Sequence, residues 1–195
     1  MIMFKIKFTI ICILLLILAP GLQGLFAAAL PRVELQTSMG TIVLELDQDK
    51  APRTVRNFLD YVKSGFYDDM IFHRVVADFV IQAGAFDKDM VEYETNGPIR
   101  NEAANGLKNV RGALAMARNS DPHSADSQFY INLQDNPSLD HRARTMRDYG
   151  YCVFGRVIEG MDVVDAIGRV ETHEFKGYED VPVSPVVIEH ARLLD

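Results

Sequence analysis

Apolar and polar positions along the chain change period several times, and each change marks an element. Residues 33–38 alternate weakly and residues 41–46 clearly, with Ile42, Leu44 and Leu46 on one face. Met39-Gly40 lies between the two runs, so the pattern predicts a β-hairpin. Pro52 then suits the first turn of a helix. Val55, Phe58, Leu59 and Val62 recur at helical spacing, with Arg53, Arg56, Asp60 and Lys63 opposite them. Gly65 is placed to cap that helix. Stretches 70–76, 79–82, 112–117, 128–133, 151–157 and 186–194 read as strands, and 161–170 as a short helix carrying Val163, Val164 and Ile167. The segments 85–108 and 134–150 are long, polar and irregular, a pattern often found in functional loops.

Strands dominate this reading and do not alternate regularly with helices, which argues against a doubly wound parallel sheet. The expected fold is mainly β: a closed eight-stranded antiparallel β-barrel capped by two α-helices, because closure removes exposed edges.

The N-terminus stands apart. Lys5 and Lys7 precede an apolar run over 8–19, then Pro20-Gly21 and Ala27-Ala28-Ala29. That order of charge, apolar run and small residues is the pattern of a signal peptide. Residues 1–29 are expected to be removed, leaving 30–195 as one domain. The competing reading is an uncleaved anchor, since 8–30 is long enough to span a bilayer. Pro20, Gly21 and Gly24 interrupt that run.

The 195 residues are 48% hydrophobic and carry a formal net charge of -7. Loss of Lys5 and Lys7 makes it -9, because residues 1–29 hold no Asp or Glu. An acidic domain is a poor partner for nucleic acid or an anionic membrane face. Cys12 leaves with the leader, so Cys152 has no partner within the chain and reads as a small buried hydrophobe. His73, His123, His141, His173 and His190 fall in no metal-type spacing. No nucleophile elbow or phosphate- or dinucleotide-binding glycine motif is present. No metal and no cofactor are expected, and any catalysis has to work by binding and electrostatics.

Residues 72–84 hold the exception to the apolar pattern. Arg74 is a permanent cation and Gln82 an amide within strand-like surroundings. An isolated buried charge is costly, so Arg74 is either ion-paired or points into a site that uses it. Phe72-His73-Arg74-Val75 with Asp78-Phe79-Val80-Ile81-Gln82-Ala83-Gly84 resembles the signature of the cyclophilin peptidyl-prolyl isomerases. Met39-Gly40-Thr41-Ile42, Ala51-Pro52-x-Thr54-Val55-x-Asn57-Phe58, Arg111-Gly112-Ala113-Leu114-Ala115-Met116-Ala117, Asp126-Ser127-Gln128-Phe129-Tyr130-Ile131, Tyr151-Cys152-Val153-Phe154-Gly155 and Gly160-Met161-Asp162-Val163-Val164 extend the resemblance in order. The loop containing Asp140-His141 looks most like that of exported bacterial members.

The resemblance implies an outer-face groove that accelerates cis/trans rotation about X-Pro bonds. Arg74 matches the catalytic arginine. Gln82 matches the glutamine that binds substrate backbone and braces the arginine. Phe79, Val80, Tyr130 and Leu139 match the proline pocket, with Val80 and Tyr130 departing from the commoner methionine and phenylalanine. The Tyr130 hydroxyl then needs a polar partner. Tyr151 stands where many eukaryotic members have histidine. Ala117, with Arg118 and Asn119, matches the strand edge that receives the substrate backbone, and the Arg118 side chain is expected to be solvated. His73 is expected to face away from Arg74 as a satisfied structural histidine. Ser138 stands where drug-sensitive members have tryptophan, so weak cyclosporin binding is expected.

The expected protein is thus a monomeric exported isomerase of the bacterial periplasm, acting on proline-containing, unfolded or partly folded polypeptides and possessing a folding-chaperone capacity. Two other readings remain at this point: a module that holds proline-containing segments without useful catalysis, and a small-ligand carrier with a roomy barrel interior.

Overall fold

The computed structural model describes residues 29–194. The expected leader therefore lies outside the described residues, apart from Ala29. Strands β1 (Arg32–Thr37) and β2 (Gly40–Leu46) form the expected hairpin. The Thr37 hydroxyl ties its turn by donating to the Gly40 carbonyl at 2.6 Å. Helix α1 (Pro52–Lys63) follows with proline in its first turn. It buries Val55, Phe58, Tyr61 and Val62. Gly65 takes a left-handed φ of 70° just past its end, where a side chain would be strained.

The first turn of α1 has no side-chain cap of its own. Glu102 supplies one from the long 85–108 loop. Its Oε2 accepts from the Thr54 N–H at 2.9 Å and from the Thr54 hydroxyl at 2.8 Å. A carboxylate there satisfies free N–H groups and complements the helix dipole, so it also anchors the loop.

The remaining strands of the main sheet are β3 (Met70–Ile71), β4 (Arg74–Val76), β5 (Val80–Ala83), β6 (Ala113–Met116), β7 (Phe129–Asn132), β8 (Val153–Glu159) and β11 (Val187–Leu194). Helix α2 (Met161–Ile167) lies after β8. It starts at Gly160, φ 81°, where any Cβ would run into the Thr41 carbonyl oxygen. All pairings are antiparallel, in the order β3-β11-β1-β2-β8-β6-β7-β5-β4.

This refines the expected eight-stranded closed barrel. The two end strands, β3 and β4, are successive pieces of one chain stretch separated only by Phe72 and His73. The curled sheet is thus brought round on itself by a bent stretch of chain rather than by a ninth hydrogen-bonded ladder. The structure also adds a separate hairpin that the hydrophobic pattern does not reveal, β9 (Thr172–Phe175) and β10 (Tyr178–Pro182), which packs beside β4.

The interior is filled. Leu35, Ile42, Leu44, Ile81, Leu114, Phe129, Ile131 and Phe154 point inward to meet Phe58 of α1 and Val164 and Ile167 of α2. The Phe58 ring sits 5.2–5.3 Å from those of Tyr67, Phe129 and Phe154. Burying such a side chain contributes about 2–3 kcal/mol. Cys152 is 3% exposed, and its sulfur meets the Thr54 hydroxyl at 3.4 Å.

Candidate active site

Strand register builds a row across the outside of the sheet. Arg74 pairs with Gln82, Gln82 with Tyr130, Tyr130 with Ala115, and Ala115 with Val153. Residues directly paired in this way share a face. Their neighbours Ile81, Ile131, Phe129, Leu114 and Met116 alternate inward to the core. The outward set forms its own apolar cluster of Val80, Ala113, Ala115, Tyr130 and Val153, joined by Phe79, Ala117, Leu139 and Tyr151. Outward residues 113, 115 and 117 on β6 and its extension are all alanine. Small side chains there leave a depression between the larger groups on each side.

That depression is a groove of about 290 Å³. Arg74 and Gln82 line one part of it, Phe79, Val80, Tyr130 and Leu139 the apolar part, and Ala117, Arg118 and Tyr151 the remainder. All eight residues singled out from the sequence meet around one hollow, and Arg118 joins them. A larger groove of about 520 Å³ lies over Glu45, Lys108, Arg111 and Arg156. Its cations already have carboxylate partners: Arg111 with Asp165 and Arg156 with Glu45, both at 2.8 Å, and Lys108 with Asp140 at 3.4 Å. None of the eight residues lines it, so the smaller groove is the candidate site.

Among the described residues, one carboxylate lies within ion-pair distance of Arg74. Its Nε lies 3.7 Å from Asp180 Oδ2 on β10, and both side chains are 38% exposed. That separation is too long for a hydrogen bond, and an exposed pair of this kind holds its members weakly. Of the two readings left open by the sequence, the structure combines a loose ion pair with a guanidinium on the groove wall. Gln82 stands opposite Arg74, but its side-chain Nε2 donates to Gln128 Oε1 at 2.9 Å. The expected direct brace to Arg74 is absent among the described residues; Gln82 is itself held from the β7 side.

Buried amides support the apolar wall from behind. The Tyr130 hydroxyl donates to Asn109 Oδ1 at 2.7 Å, which supplies the polar partner it needs. Burial pushes the Tyr130 phenol well above its ordinary pKa, so it stays protonated. Asn136 Nδ2 donates to the Phe79 carbonyl at 3.0 Å and to Asn132 Oδ1 at 2.8 Å. The short 3-10 turn Pro137–Leu139 then places Leu139, whose carbonyl accepts from the Tyr151 N–H at 3.0 Å. The Ala117 N–H donates to the Gln128 carbonyl at 2.9 Å. Its small side chain lines the groove.

Arg118 is not the solvated side chain that the sequence suggested. Its guanidinium carbon sits 4.6 Å above the centre of the Tyr151 ring. Its Nε and Nη1 donate to the Gly150 and Asn119 carbonyls at 3.0 and 2.8 Å. No local pattern could reveal this, because Tyr151 lies on a different strand approach.

His73 is 5% exposed, with its ring edge-on to Phe86 at 5.0 Å. Among the described residues no hydrogen bond of good geometry reaches its Nδ1, although Gln128 and the Ile71 backbone lie close enough to favour its protonated form. Burial, with Arg74 beside it, pushes its pKa down from 6.5 to about 4. It is neutral at pH 7 and adds no second charge next to Arg74. Among the described residues no three His, Cys, Asp or Glu side chains cluster as metal ligands.

Comparison with solved structures defines the class of the fold as cyclophilin-like. The structure superposes on a crystal structure of a Cryptosporidium parvum cyclophilin type peptidyl-prolyl cis-trans isomerase with a TM-score of 0.70, covering 85% of this chain and 98% of that one at 23% identity. A second crystal structure, of the same protein in the presence of the dipeptide Ala-Pro, gives the same TM-score at 24% identity. The sequence comparisons are closer. Peptidyl-prolyl cis-trans isomerase cyp18 of Streptomyces antibioticus is 58% identical over 83% of this chain and 98% of its own length. Peptidyl-prolyl cis-trans isomerase B of Escherichia coli K12 is 51% identical over 80% of this chain and 96% of its own. The family model for cyclophilin type peptidyl-prolyl cis-trans isomerases matches residues 32–193. The chain belongs to the cyclophilin-type peptidyl-prolyl cis-trans isomerases, enzymes of X-Pro bond rotation.

Proposed function

We propose that this isomerase uses Arg74 to weaken amide resonance in an X-Pro bond held on the outer groove. The observation that carries the reading is the register row, which sets the Arg74 guanidinium beside an apolar hollow floored by alanines. The uncatalysed barrier of about 18–20 kcal/mol comes from delocalisation of the prolyl nitrogen lone pair. Phe79, Val80, Tyr130 and Leu139 hold the pyrrolidine ring. A guanidinium N–H directed at the prolyl nitrogen localises its lone pair and favours the twisted state. Gln82 and Tyr151 bind the flanking peptide groups, and Ala117 leaves room for the chain. No bond is made or broken. Each tenfold acceleration needs about 1.4 kcal/mol of preferential transition-state binding, within reach of fixed charges in a partly dry groove.

The substrates are proline-containing, unfolded or partly folded polypeptides, and the domain spanning 30–195 acts as a monomer. Residues 1–29 direct export to the bacterial periplasm and are removed there. The described residues contain no helix long and apolar enough to cross a membrane. N-terminal sequencing of the chain recovered from a periplasmic fraction tests the export step; an N-terminus at Met1 overturns it.

NMR exchange on an Ala-Pro peptide tests the chemistry. Arg74→Ala is expected to lower kcat/KM by about 100-fold. Arg74→Lys is expected to fall well below wild type, because an ammonium lacks the planar fork. Wild-type rates in Arg74→Ala overturn the mechanism.

A further inference from the structure

We propose that Arg118 forms a carboxylate subsite beside the prolyl pocket, so that the enzyme prefers X-Pro segments carrying Glu or Asp within about three residues of the proline. This rests on the isomerase reading of the groove and names part of its substrate class.

Arg118 is a cation prepared for a ligand. Two backbone carbonyls and the face of Tyr151 fix its guanidinium on the groove wall. Those contacts use Nε and Nη1, and Nη2 has no protein acceptor among the described residues. Among the described residues Arg118 has no carboxylate within ion-pair distance, as is true of other arginines such as Arg100 and Arg169; what sets it apart is that it is held in place on the groove wall. No Asp or Glu lines the groove. The guanidinium is already ordered, so a ligand carboxylate need not pay to immobilise it. Two N–H groups of one planar cation can meet both oxygens of that carboxylate.

The reach follows from the strand order. Arg74 on β4 and Arg118 just past β6 are separated by three strand spacings, about 14 Å, and by three residues along the strands, about 10 Å, so their backbones lie about 17 Å apart. An extended peptide advances about 3.3 Å per residue, and the Arg and Glu side chains shorten the span. An acidic residue close to the proline therefore meets Arg118 while the prolyl nitrogen meets Arg74. The net charge, -9 once Lys5 and Lys7 leave with the leader, opposes acidic partners at long range, but physiological salt screens that field beyond roughly 8 Å. The subsite acts at contact.

The test is a matched peptide series in which Glu, or Gln as its neutral counterpart, occupies each position flanking a single proline. The Glu-to-Gln ratio of kcat/KM, read by NMR exchange, is compared within each protein. At the favoured position wild type is expected to show a ratio of about five, Arg118→Gln a ratio near one, and Arg118→Glu a ratio below one. Arg118→Lys, which keeps the charge and loses the fork, is expected to lie between wild type and Arg118→Gln. A wild-type ratio near one at every position overturns the subsite while neutral peptides still turn over and leave the isomerase reading intact. So does a ratio that persists in Arg118→Gln. If no peptide turns over, the isomerase reading fails, and dissociation constants from NMR titration still decide the subsite: equal values for Glu and Gln peptides overturn it.

Discussion

The Tyr130 hydroxyl lies 2.7 Å from Asn109 Oδ1, and the Asn109 N–H in turn lies 2.8 Å from Asp140 Oδ1. One hydrogen-bonded line thus runs from the wall of the candidate groove to the loop that carries Leu139. Tyr130→Phe removes the donor and leaves the buried Asn109 oxygen with only the longer 3.4 Å contact from Asn132. A buried acceptor deprived of its partner costs about 1–3 kcal/mol. Urea unfolding is expected to show a loss of that size with an unchanged m-value. A midpoint equal to wild type would mean that the phenol bond contributes nothing net.

His73 sets a pH dependence of stability. Its folded pKa of about 4 lies below the ordinary 6.5, through burial first and Arg74 second. Between those values the unfolded chain binds a proton that the native state does not. Stability is therefore full above pH 6.5, falls as pH drops through 6.5 towards 4, and levels off below. The span amounts to on the order of 3 kcal/mol. Denaturant titrations at pH 7 and pH 4.5 are expected to show a smaller acid loss in His73→Gln than in wild type. Identical losses would assign the acid sensitivity to other groups.

Cys152 is expected to be chemically silent in the native protein. Burial pushes its thiol up to about 11, and it is 3% exposed. The reactive species is the thiolate. At pH 8 a thiol reagent such as dithionitrobenzoate should label the folded domain only at the rate of its opening, and completely in denaturant. Rapid labelling of the folded domain would contradict the burial.

Ser138 is exposed at the turn that positions Leu139, in the place where the family resemblance expects tryptophan in drug-sensitive members. Cyclosporin is expected to bind weakly by calorimetry. Ser138→Trp should tighten it by about tenfold through one added aromatic contact. Nanomolar binding to wild type would show that the groove compensates elsewhere.

Much of the fold is legible because its signals are local. Helix α1 shows in the spacing of Val55, Phe58 and Val62, and its end in Gly65. The β1–β2 hairpin shows in alternation, because one face of it is buried. The β9–β10 hairpin is illegible for the opposite reason: His173, Glu174, Phe175 and Tyr178 are all exposed, so no period of two marks it. The groove residues were readable as an ordered set of motifs. The partners that hold them were not, since Gln128, Asn109 and Asp180 reach Gln82, Tyr130 and Arg74 from other strands and loops.

The sequence by itself determined the helices, most strands and the place of the cation at Arg74. Each depends on the period of neighbouring side chains or on a contiguous motif. Only the tertiary structure decided the rest. It brought the curled sheet round through Phe72 and His73, capped α1 with Glu102 from 48 residues along the chain, and seated Arg118 on Tyr151 at the rim of the groove. The physical reason is that capping, charge pairing and stacking depend on distance in space, and strand register sets that distance between residues far apart in the chain.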